Sequence, residues 1–329
     1  LQPLSNLIGL SLTSNSLTNL DSNLFQYQRN LTLLSLDGNR LSELPATLFN
    51  PLQSLQSLGL SNNFISTLPT SIFANLANLN TLSLRSNQIS NIDPTLFAPL
   101  GNLKIFDLGL NLIDNLHVDT FSRLTSLERF DLSFNELTNL TPQLFVNNVN
   151  LNMLGLNQNQ ITTINSIDFA SLVNLKELYL TFNGIESLPN NTFENNVKLQ
   201  KLALTGNYLT AVHSMLFKTT SELSELYLDI NRIDKIERNL LDFLPVLTRL
   251  HLFGNICAYY WDFNLVNVGN NREMVNSLLQ ECFFNYDGIE STTKPSIITT
   301  ESTTTDSSTT LSVSLKIIFS FLTIIYLSA

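Results

Sequence analysis

A 24-residue repeat without insertions constrains the fold of this chain more than any other feature. The stretches LSLDGNRLSELPATLF at 34–49 and LGLSNNFISTLPTSIF at 58–73 align without a gap. The same spacing continues along most of the chain, with units that begin at Leu7, Leu31, Leu55, Leu79, Leu103, Leu127, Leu151, Leu175, Leu199, Leu223 and Leu247. A fixed period of this length predicts a solenoid of stacked repeats.

Each unit begins with the alternating stretch Leu-x-x-Leu-x-Leu, which predicts a short strand with inward leucines. An asparagine follows where the chain leaves the strand, at Asn15, Asn39, Asn63, Asn87, Asn111, Asn135, Asn159, Asn183, Asn207, Asn231 and Asn255. A turn in every repeat leaves backbone groups inside the stack, and each unpaired group costs about 1–3 kcal/mol. Because an asparagine side chain both donates and accepts, we expect a structural asparagine ladder in the core.

Position 19 of each unit predicts a second column of core side chains. Its members are Phe25, Phe49, Phe73, Phe97, Phe121, Phe145, Phe169, Phe193 and Phe217, followed by Leu241. One ring from each coil is expected to fill the convex side of the solenoid. Core packing explains this column better than an aromatic binding site does.

These units resemble the leucine-rich repeat family, in the 24-residue form common in extracellular proteins. The resemblance covers residues 1–256 and implies a repeat solenoid of the α/β class, a curved horseshoe with a parallel concave sheet and a C-terminal cap. Leu1 and Leu4 occupy the Phe and Leu positions of a preceding unit, so the chain opens within a repeat. We therefore expect the chain to be a fragment or a trimmed product that lacks its natural N-terminus.

Residues 257–290 resemble the C-terminal cap of the same family. Cys257 and Cys282 are the two cysteines of the chain, and they flank its one tryptophan, Trp261. The usual cap has four cysteines, so this version has room for one bridge, Cys257–Cys282. A pair of reduced core cysteines is the alternative, but an even count confined to a cap favours the bridge and an oxidising compartment.

The end of the chain has the composition of a membrane-attachment region. Residues 291–310 are rich in Ser and Thr, which predicts a disordered, O-glycosylated stalk. Residues 311–329 form a hydrophobic anchor signal, although a transmembrane helix needs about 20 apolar residues and only the 13 from Ile317 to Ala329 are free of charge. A GPI signal with attachment at Ser307 is favoured, and a single-pass span is the alternative.

Composition excludes some partners and permits modification. The formal net charge is −10 and Lys and Arg do not cluster in the sequence, so a general nucleic-acid binder is not expected. Three sequons permit N-glycosylation at Asn30, Asn139 and Asn190, all away from the outward face of the strands.

Nothing in the sequence indicates catalysis, a metal site or a cofactor. His117 and His213 fall on convex turns, and His251 is expected to stand alone on a strand. No phosphate-binding glycine loop, nucleophile–base pair or cluster of metal ligands is visible in the sequence. We therefore expect a protein that is not an enzyme.

The concave face changes along the chain, from small polar residues in the early units to aromatic and charged residues in the last four. The candidate ligand-binding residues are Tyr179, Phe182, Tyr208, Tyr227, Asp229, Arg232, His251 and Phe253. Tyrosine and arginine with nearby carboxylates are the residue types that anchor protein interfaces. An ordinary exposed sheet with incidental aromatics is the alternative.

The whole layout resembles extracellular leucine-rich repeat receptors and adhesion proteins, and its order is similar to that of the variable lymphocyte receptors. It implies a cell-surface recognition protein, lipid-anchored on the outer side of the plasma membrane, that binds an extracellular protein or glycan. A structural or extracellular-matrix scaffold without a dedicated ligand is the competing prediction.

Overall fold

The computed structural model describes residues 4–257, 264–266, 268 and 271–287, all within one compact unit. Its main element is a twelve-stranded sheet in which each repeat unit contributes one parallel strand. The parallel strands are β1 Gly9–Ser11, β2 Leu33–Ser35, β3 Ser57–Gly59, β4 Thr81–Ser83, β5 Ile105–Asp107, β6 Arg129–Asp131, β7 Met153–Gly155, β8 Glu177–Tyr179, β9 Lys201–Ala203, β11 Glu225–Tyr227 and β13 Arg249–His251. The predicted repeat solenoid, with a parallel sheet on its concave face, is confirmed.

The strands pair in a register of one repeat unit, so equivalent positions of successive units lie side by side. Leu10 pairs with Leu34 and Leu34 with Leu58, and the same holds along the sheet. The central residue of each strand points inward, and it is buried in every strand from β2 to β9 and in β11 and β13. Because the lateral register equals the sequence period, any row of the surface can be read directly from the aligned units.

The asparagine ladder lies in the core, as predicted. In the unit that begins at Leu127, Asn135 Nδ2 donates to Leu132 O of its own coil at 3.0 Å and to Leu108 O of the preceding coil at 3.1 Å. Its Oδ1 accepts from Ile113 N at 3.0 Å. Each asparagine of the ladder therefore joins two coils through backbone groups that have no strand partner.

Ten of the eleven asparagines are buried, from Asn39 to Asn255. The prediction was wrong for Asn15, which is exposed and donates to Leu12 O and Thr13 O of its own coil. Asn15 belongs to the first described coil, where Leu10 and Leu12 are only partly buried. Burial of the ladder thus depends on contact with a preceding coil.

The residue before each asparagine has a left-handed backbone, which the sequence analysis did not anticipate. All eleven have φ between 50° and 72°: Ser14, Gly38, Asn62, Ser86, Leu110, Phe134, Gln158, Phe182, Gly206, Ile230 and Gly254. A non-glycine residue in this conformation costs about 1–2 kcal/mol. The repeated turn therefore places large side chains such as Phe182 and Ile230 at strained positions beside the sheet.

The phenylalanine column is buried, and its rings stack from coil to coil. Phe121 lies 6.3 Å from Phe97 and 6.5 Å from Phe145 between ring centroids, with nearly parallel planes. In β5 and β6 the inward leucine is replaced by Phe106 and Phe130, which contact the column edge to face. The core-packing interpretation of position 19 is confirmed.

The convex side contains elements that the pattern did not predict. Two short strands, β10 Ala211–Val212 and β12 Lys235–Ile236, form a separate parallel pair, and 3-10 helices span Ser214–Phe217 and Leu240–Phe243.

Position 22, usually leucine, is a buried asparagine in two coils. Asn148 Nδ2 donates to Phe121 O and Leu124 O of the preceding coil, and Asn196 does the same to Phe169 O and Leu172 O.

Elements that follow the repeats contact the last two coils. Strand β14, Asn264–Val266, pairs antiparallel with β13 at the edge of the sheet. Helices α1, Arg272–Leu278, and α2, Gln280–Asp287, follow, and Val275, Leu279, Cys282 and Phe283 are buried. Cys257 and Cys282 form the expected disulfide, whereas Trp261 lies outside the described residues.

Arg272 supplies the hydrogen bonds that a further coil would have made. Its guanidinium donates to Leu241 O and Leu244 O. These two carbonyls occupy positions 19 and 22 of their unit, the same positions that Asn148 and Asn196 satisfy in the interior of the solenoid. A single arginine of the cap thus replaces the position-22 amide of the next repeat.

Asn135→Leu tests the ladder. Leucine fits the apolar surroundings but leaves Ile113 N, Leu108 O and Leu132 O without a side-chain partner, so we expect a loss of about 1–3 kcal/mol in the free energy of unfolding. Urea denaturation measures it. The control is Asn15→Leu at the exposed position, for which a much smaller loss is expected; equal losses for the two variants would contradict the ladder.

Candidate ligand-binding face

Two lateral rows of side chains project from the concave face of strands β8, β9, β11 and β13. One row holds alternating charges, Glu177, Lys201, Glu225 and Arg249, and the other holds Tyr179, Ala203, Tyr227 and His251. The second row is the one that the repeat spacing predicted. We refer to the eight residues of these two rows together with Asp229 as the concave cluster.

Glu225 is the centre of the concave cluster. Its Oε1 lies 2.9 Å from Arg249 Nη1, and its Oε2 accepts from the Tyr227 hydroxyl at 2.7 Å. Lys201 Nζ lies 3.5 Å from Oε2 on the other side. One carboxylate therefore fixes a tyrosine, a lysine and an arginine from three adjacent strands.

Lys201 lies between the two tyrosines of the aromatic row. Its Nζ is 5.4 Å from the ring centroid of Tyr179 and 5.4 Å from that of Tyr227. The intervening residue of that row is the small Ala203, which is buried. The Tyr179 hydroxyl donates to Glu177 at 2.6 Å, in the same way that Tyr227 donates to Glu225. Both phenol rings are thus held in place by a carboxylate and a cation.

His251 was expected to stand alone, and this was wrong. Its ring lies 4.6 Å from the ring of Tyr227 between centroids, and its Nδ1 lies 3.6 Å from Asp229 Oδ2. Asp229 Oδ1 accepts from the backbone N–H of Phe253 at 3.0 Å. The contact of His251 with Tyr227 lies within the predicted row. Its contact with Asp229 was missed because it runs diagonally between positions 5 and 7 of neighbouring units.

The remaining predicted residues lie beside the sheet, where the chain turns away from the strands. The Arg232 guanidinium lies 4.2 Å above the centre of the Tyr208 ring. The Phe182 ring covers Gly206, where an added Cβ would collide with it. The structure therefore divides the predicted set into two groups. One belongs to the concave cluster, and the other follows the C-terminal ends of the strands and consists of Phe182, Tyr208, Arg232 and Phe253.

Several large apolar groups of this region remain in contact with solvent. Phe253 is 49% exposed, Tyr208 45% and Ile230 36%. By contrast, the polar groups among them are largely paired with one another. The region thus places exposed aromatic side chains beside a set of mutually paired tyrosine and charged side chains, and aromatic residues and arginine are enriched in protein interfaces.

The titration of the cluster follows from its contacts. Burial and the neighbouring carboxylates raise the pKa of Tyr179 and of Tyr227, so both phenols remain hydrogen-bond donors at neutral pH. Burial also raises the pKa of Asp229, although the charge of His251 opposes it. Partial burial alone would raise the pKa of Glu225. The Tyr227 hydrogen bond and the charges of Lys201 and Arg249 outweigh burial, so the pKa is lowered.

The concave face of the early units differs in kind. Its hydroxyl groups pair with each other: Thr13 with Ser35 at 2.6 Å and Ser61 with Ser83 at 2.6 Å. In the middle of the sheet Arg85 Nη1 lies 3.2 Å from Asp131 and 3.6 Å from Asp107. Burial raises the pKa of Asp107, with the nearby Asp131 charge adding to the effect. Phe64, at the position that corresponds to Tyr208, is exposed in an early coil, but neither part has tyrosines on the strands that are hydrogen-bonded to a row of charges.

Sequence reasoning missed Glu177, Lys201, Glu225 and Arg249, the charged row that holds the tyrosines. The signal was present: position 3 of four successive units reads Glu, Lys, Glu, Arg. Alternating charges on adjacent strands pair laterally. The same comparison of units that identified the aromatic row therefore also identifies its charged neighbour.

The family model described as leucine rich repeat matches residues 29–89, 77–137, 126–185 and 197–256. These segments cover more than half of the chain, which therefore belongs to the leucine-rich repeat family. Members of this family are typically binding scaffolds without catalytic activity. No curated protein shows significant similarity to the chain.

Solved structures with the same fold include receptors. The TLR13–ssRNA13 complex has a TM-score of 0.64 at 27% identity over 76% of this chain and 40% of that one. The Drosophila Toll–Spatzle complex, in its glycosylated form, has a TM-score of 0.55 at 27% identity over 77% and 40%. An internalin of Listeria monocytogenes has a TM-score of 0.59 at 21% identity over 77% and 75%, which indicates the fold alone. The chain spans less than half the length of both receptor chains.

The glycosylation and membrane-attachment sites remain predictions. Asn30, Asn139 and Asn190 are all exposed and lie outside the strands, so the side chains are accessible. Residues 291–310, the hydrophobic segment 311–329 and the candidate attachment residue Ser307 lie outside the described residues. Within the part of the chain that the structure describes, no helix is long and apolar enough to pass through a bilayer.

Glu225→Gln tests the centre of the concave cluster. Because the folded-state pKa of Glu225 is lowered, its ionised form stabilises the fold above the unfolded-state pKa, and this contribution disappears as the pH falls through the folded-state value. We therefore expect Glu225→Gln to lower the free energy of unfolding by less than about 1 kcal/mol at pH 7, and by a smaller amount near pH 3.

Urea denaturation at the two pH values measures this difference. Glu194→Gln, at an exposed position on the convex side, is the control for the loss of one negative charge. A loss for Glu225→Gln that is the same at pH 3 as at pH 7 would show that the ion pairs do not stabilise the cluster.

Proposed function

We propose that this chain is an extracellular recognition protein that binds a protein ligand on the concave face of its last four repeats. The observation that carries the proposal is the concave cluster, in which partly exposed tyrosines are fixed by an alternating row of charges. A receptor or adhesion role follows from such binding. A glycan ligand on the same face is the alternative outcome of the binding experiment.

The geometry of the cluster favours affinity for a ligand. A side chain that must be ordered on binding costs about 0.5–1.5 kcal/mol. Tyr179 and Tyr227 already have their hydroxyl groups bonded to Glu177 and Glu225, so this cost is reduced. Their rings and the neighbouring Phe253 supply the apolar contact area that anchors an interface.

The resemblance to receptor structures supports recognition in general, and not a particular ligand. In those structures TLR13 is in complex with ssRNA13 and Toll is in complex with Spatzle. For this chain the net charge of −10 disfavours a nucleic-acid ligand. The acidic and aromatic side chains of the concave cluster instead suit a partner that presents basic and apolar groups.

The proposed location is outside the cell. The disulfide between Cys257 and Cys282 is the kind of cross-link that persists in oxidising compartments, and the exposed sequons suit a glycoprotein. A binding role rather than catalysis is proposed because the cluster consists of mutually paired groups and lacks a nucleophile activated by a base. A matrix scaffold without a dedicated ligand would not require exposed aromatics beside a cluster of fixed tyrosines.

Tyr227→Ala tests the location of the ligand site. Tyr227 lies at the centre of the cluster, and its removal deletes a large contact surface without changing an inward leucine. For the partner identified by screening secreted and cell-surface proteins, we expect binding to weaken by about 2 kcal/mol, roughly 30-fold in Kd. Surface plasmon resonance measures the affinity, and a thermal melt shows that the variant is folded.

Two controls separate the concave face of the last coils from the rest of the molecule. Ser83→Ala changes the concave face of an early coil and should leave the affinity nearly unchanged. Asn139→Arg changes the convex side, and it should also have little effect. Normal binding by Tyr227→Ala together with loss of binding by Asn139→Arg would place the ligand elsewhere.

We further propose attachment to the membrane by a GPI anchor near Ser307, with residues 291–310 as a stalk. The support is the composition of the segment: small residues at 306–308, a polar spacer and a short apolar end. Phosphatidylinositol-specific phospholipase C should release the protein from cells expressing it from its complete gene. Retention after this treatment, with peptides of Ile317–Ala329 detected in the mature protein, would indicate a membrane span instead.

A further inference from the structure

A polar groove lies at the N-terminal ends of the strands and shares no residue with the concave cluster. Its volume is about 560 Å³. It is lined by side chains at position 24 of one unit and position 2 of the next, including Lys104, Glu128, Asn150, Asn174, Lys176 and Lys198. We refer to it as the rim groove. All the side chains that line it are polar.

The charge of the rim groove is opposite to that of the chain. Three lysines and one glutamate line it, whereas the chain as a whole has a formal net charge of −10. The positive charge arises only in the folded state, because Lys104 and Lys176 belong to units that are not consecutive in sequence and come together through the stacking of the coils. A positively charged groove on an acidic protein favours a ligand that carries negative charge.

The three ammonium groups differ in how far they are already paired. Lys104 Nζ lies 2.8 Å from Glu128 Oε1, and Lys198 Nζ donates to Asn174 Oδ1 at 2.7 Å. Lys176 is exposed, and no side chain among the described residues pairs with its ammonium group. Lys176 and Lys198 therefore offer a pair of donors to an anion, one of them held in place by a neutral amide.

The asparagines form an ordered polar floor between the lysines. Asn150 Nδ2 donates to Thr125 O at 2.9 Å and Asn174 Nδ2 donates to Val149 O at 2.9 Å, each to the preceding coil. Equivalent side chains of neighbouring coils repeat at the strand spacing of about 4.8 Å. The groove thus presents evenly spaced polar groups along the axis of the solenoid, which suits a linear ligand with repeated polar units.

We propose that the rim groove binds an acidic polysaccharide, a linear glycan with sulfate or carboxylate groups. Lysine ammonium groups pair with the anionic substituents, and amide groups hydrogen-bond with sugar hydroxyls. An acidic protein segment fits less well, since the anchoring of a peptide relies on apolar and aromatic contacts that the polar lining does not supply.

The test is binding of a heparin-derived octasaccharide to the full-length protein, measured by isothermal titration calorimetry at two salt concentrations. Lys176→Gln combined with Lys198→Gln should weaken binding by about tenfold or more. Higher salt should weaken binding of the unchanged protein. The matched control is Lys218→Gln with Lys235→Gln, two exposed convex lysines whose loss changes the net charge equally.

Three outcomes would overturn the proposal. The first is that the octasaccharide fails to bind, and the second is that the two double variants lose affinity equally. The third is that polyglutamate of similar charge binds as tightly as the octasaccharide. Tyr227→Ala should bind the octasaccharide normally, so a failure of the rim groove is distinguishable from a failure of the concave protein-binding site. Equal loss by the two double variants would indicate attraction by net charge instead of a site.

Discussion

The structure depends on the hydrogen bonds that each buried asparagine makes between one coil and the coil before it. Asn135 is typical: it satisfies Leu132 O in its own coil and Ile113 N and Leu108 O in the preceding one. These backbone groups lie where the strand has ended, so no sheet partner reaches them. The ladder therefore permits a tight turn in every coil at the same place, and this keeps the register constant along the whole sheet.

Because the register is constant, residues that are 24 positions apart in the sequence become lateral neighbours on the surface of the sheet. Glu177, Lys201, Glu225 and Arg249 occupy the same position in successive units and become neighbours on adjacent strands. Opposite charges then pair laterally, and the tyrosines of the next row donate to the same carboxylates. Recognition by this protein is thus proposed to rest on a surface whose order comes from the core beneath it, and a change in one unit affects mainly the two units beside it.

The ends and interruptions of the repeat show how strictly the core must be satisfied. Where leucine at position 22 is replaced, Asn148 and Asn196 pair with carbonyls of the preceding coil. Where the repeats end, Arg272 of the cap pairs with the equivalent carbonyls of the unit that begins at Leu223. Since unpaired buried carbonyls are costly, three different positions in the sequence provide the same donors. The cap is therefore bonded to the last coil by backbone contacts as well as by the Cys257–Cys282 disulfide.

The sequence by itself determined the coil, the lateral register, the buried asparagine and phenylalanine columns, and the row that contains Tyr179, Tyr227 and His251, because each follows from a strict period. Only the tertiary structure decided which side chains touch across positions. The contact of His251 with Asp229 runs diagonally, between positions 5 and 7 of neighbouring coils. The Phe182 ring covers Gly206 at the same position of the next coil, because a left-handed turn of the backbone directs it there. The rim groove likewise arises from residues far apart in sequence, whose side chains converge only when the coils stack.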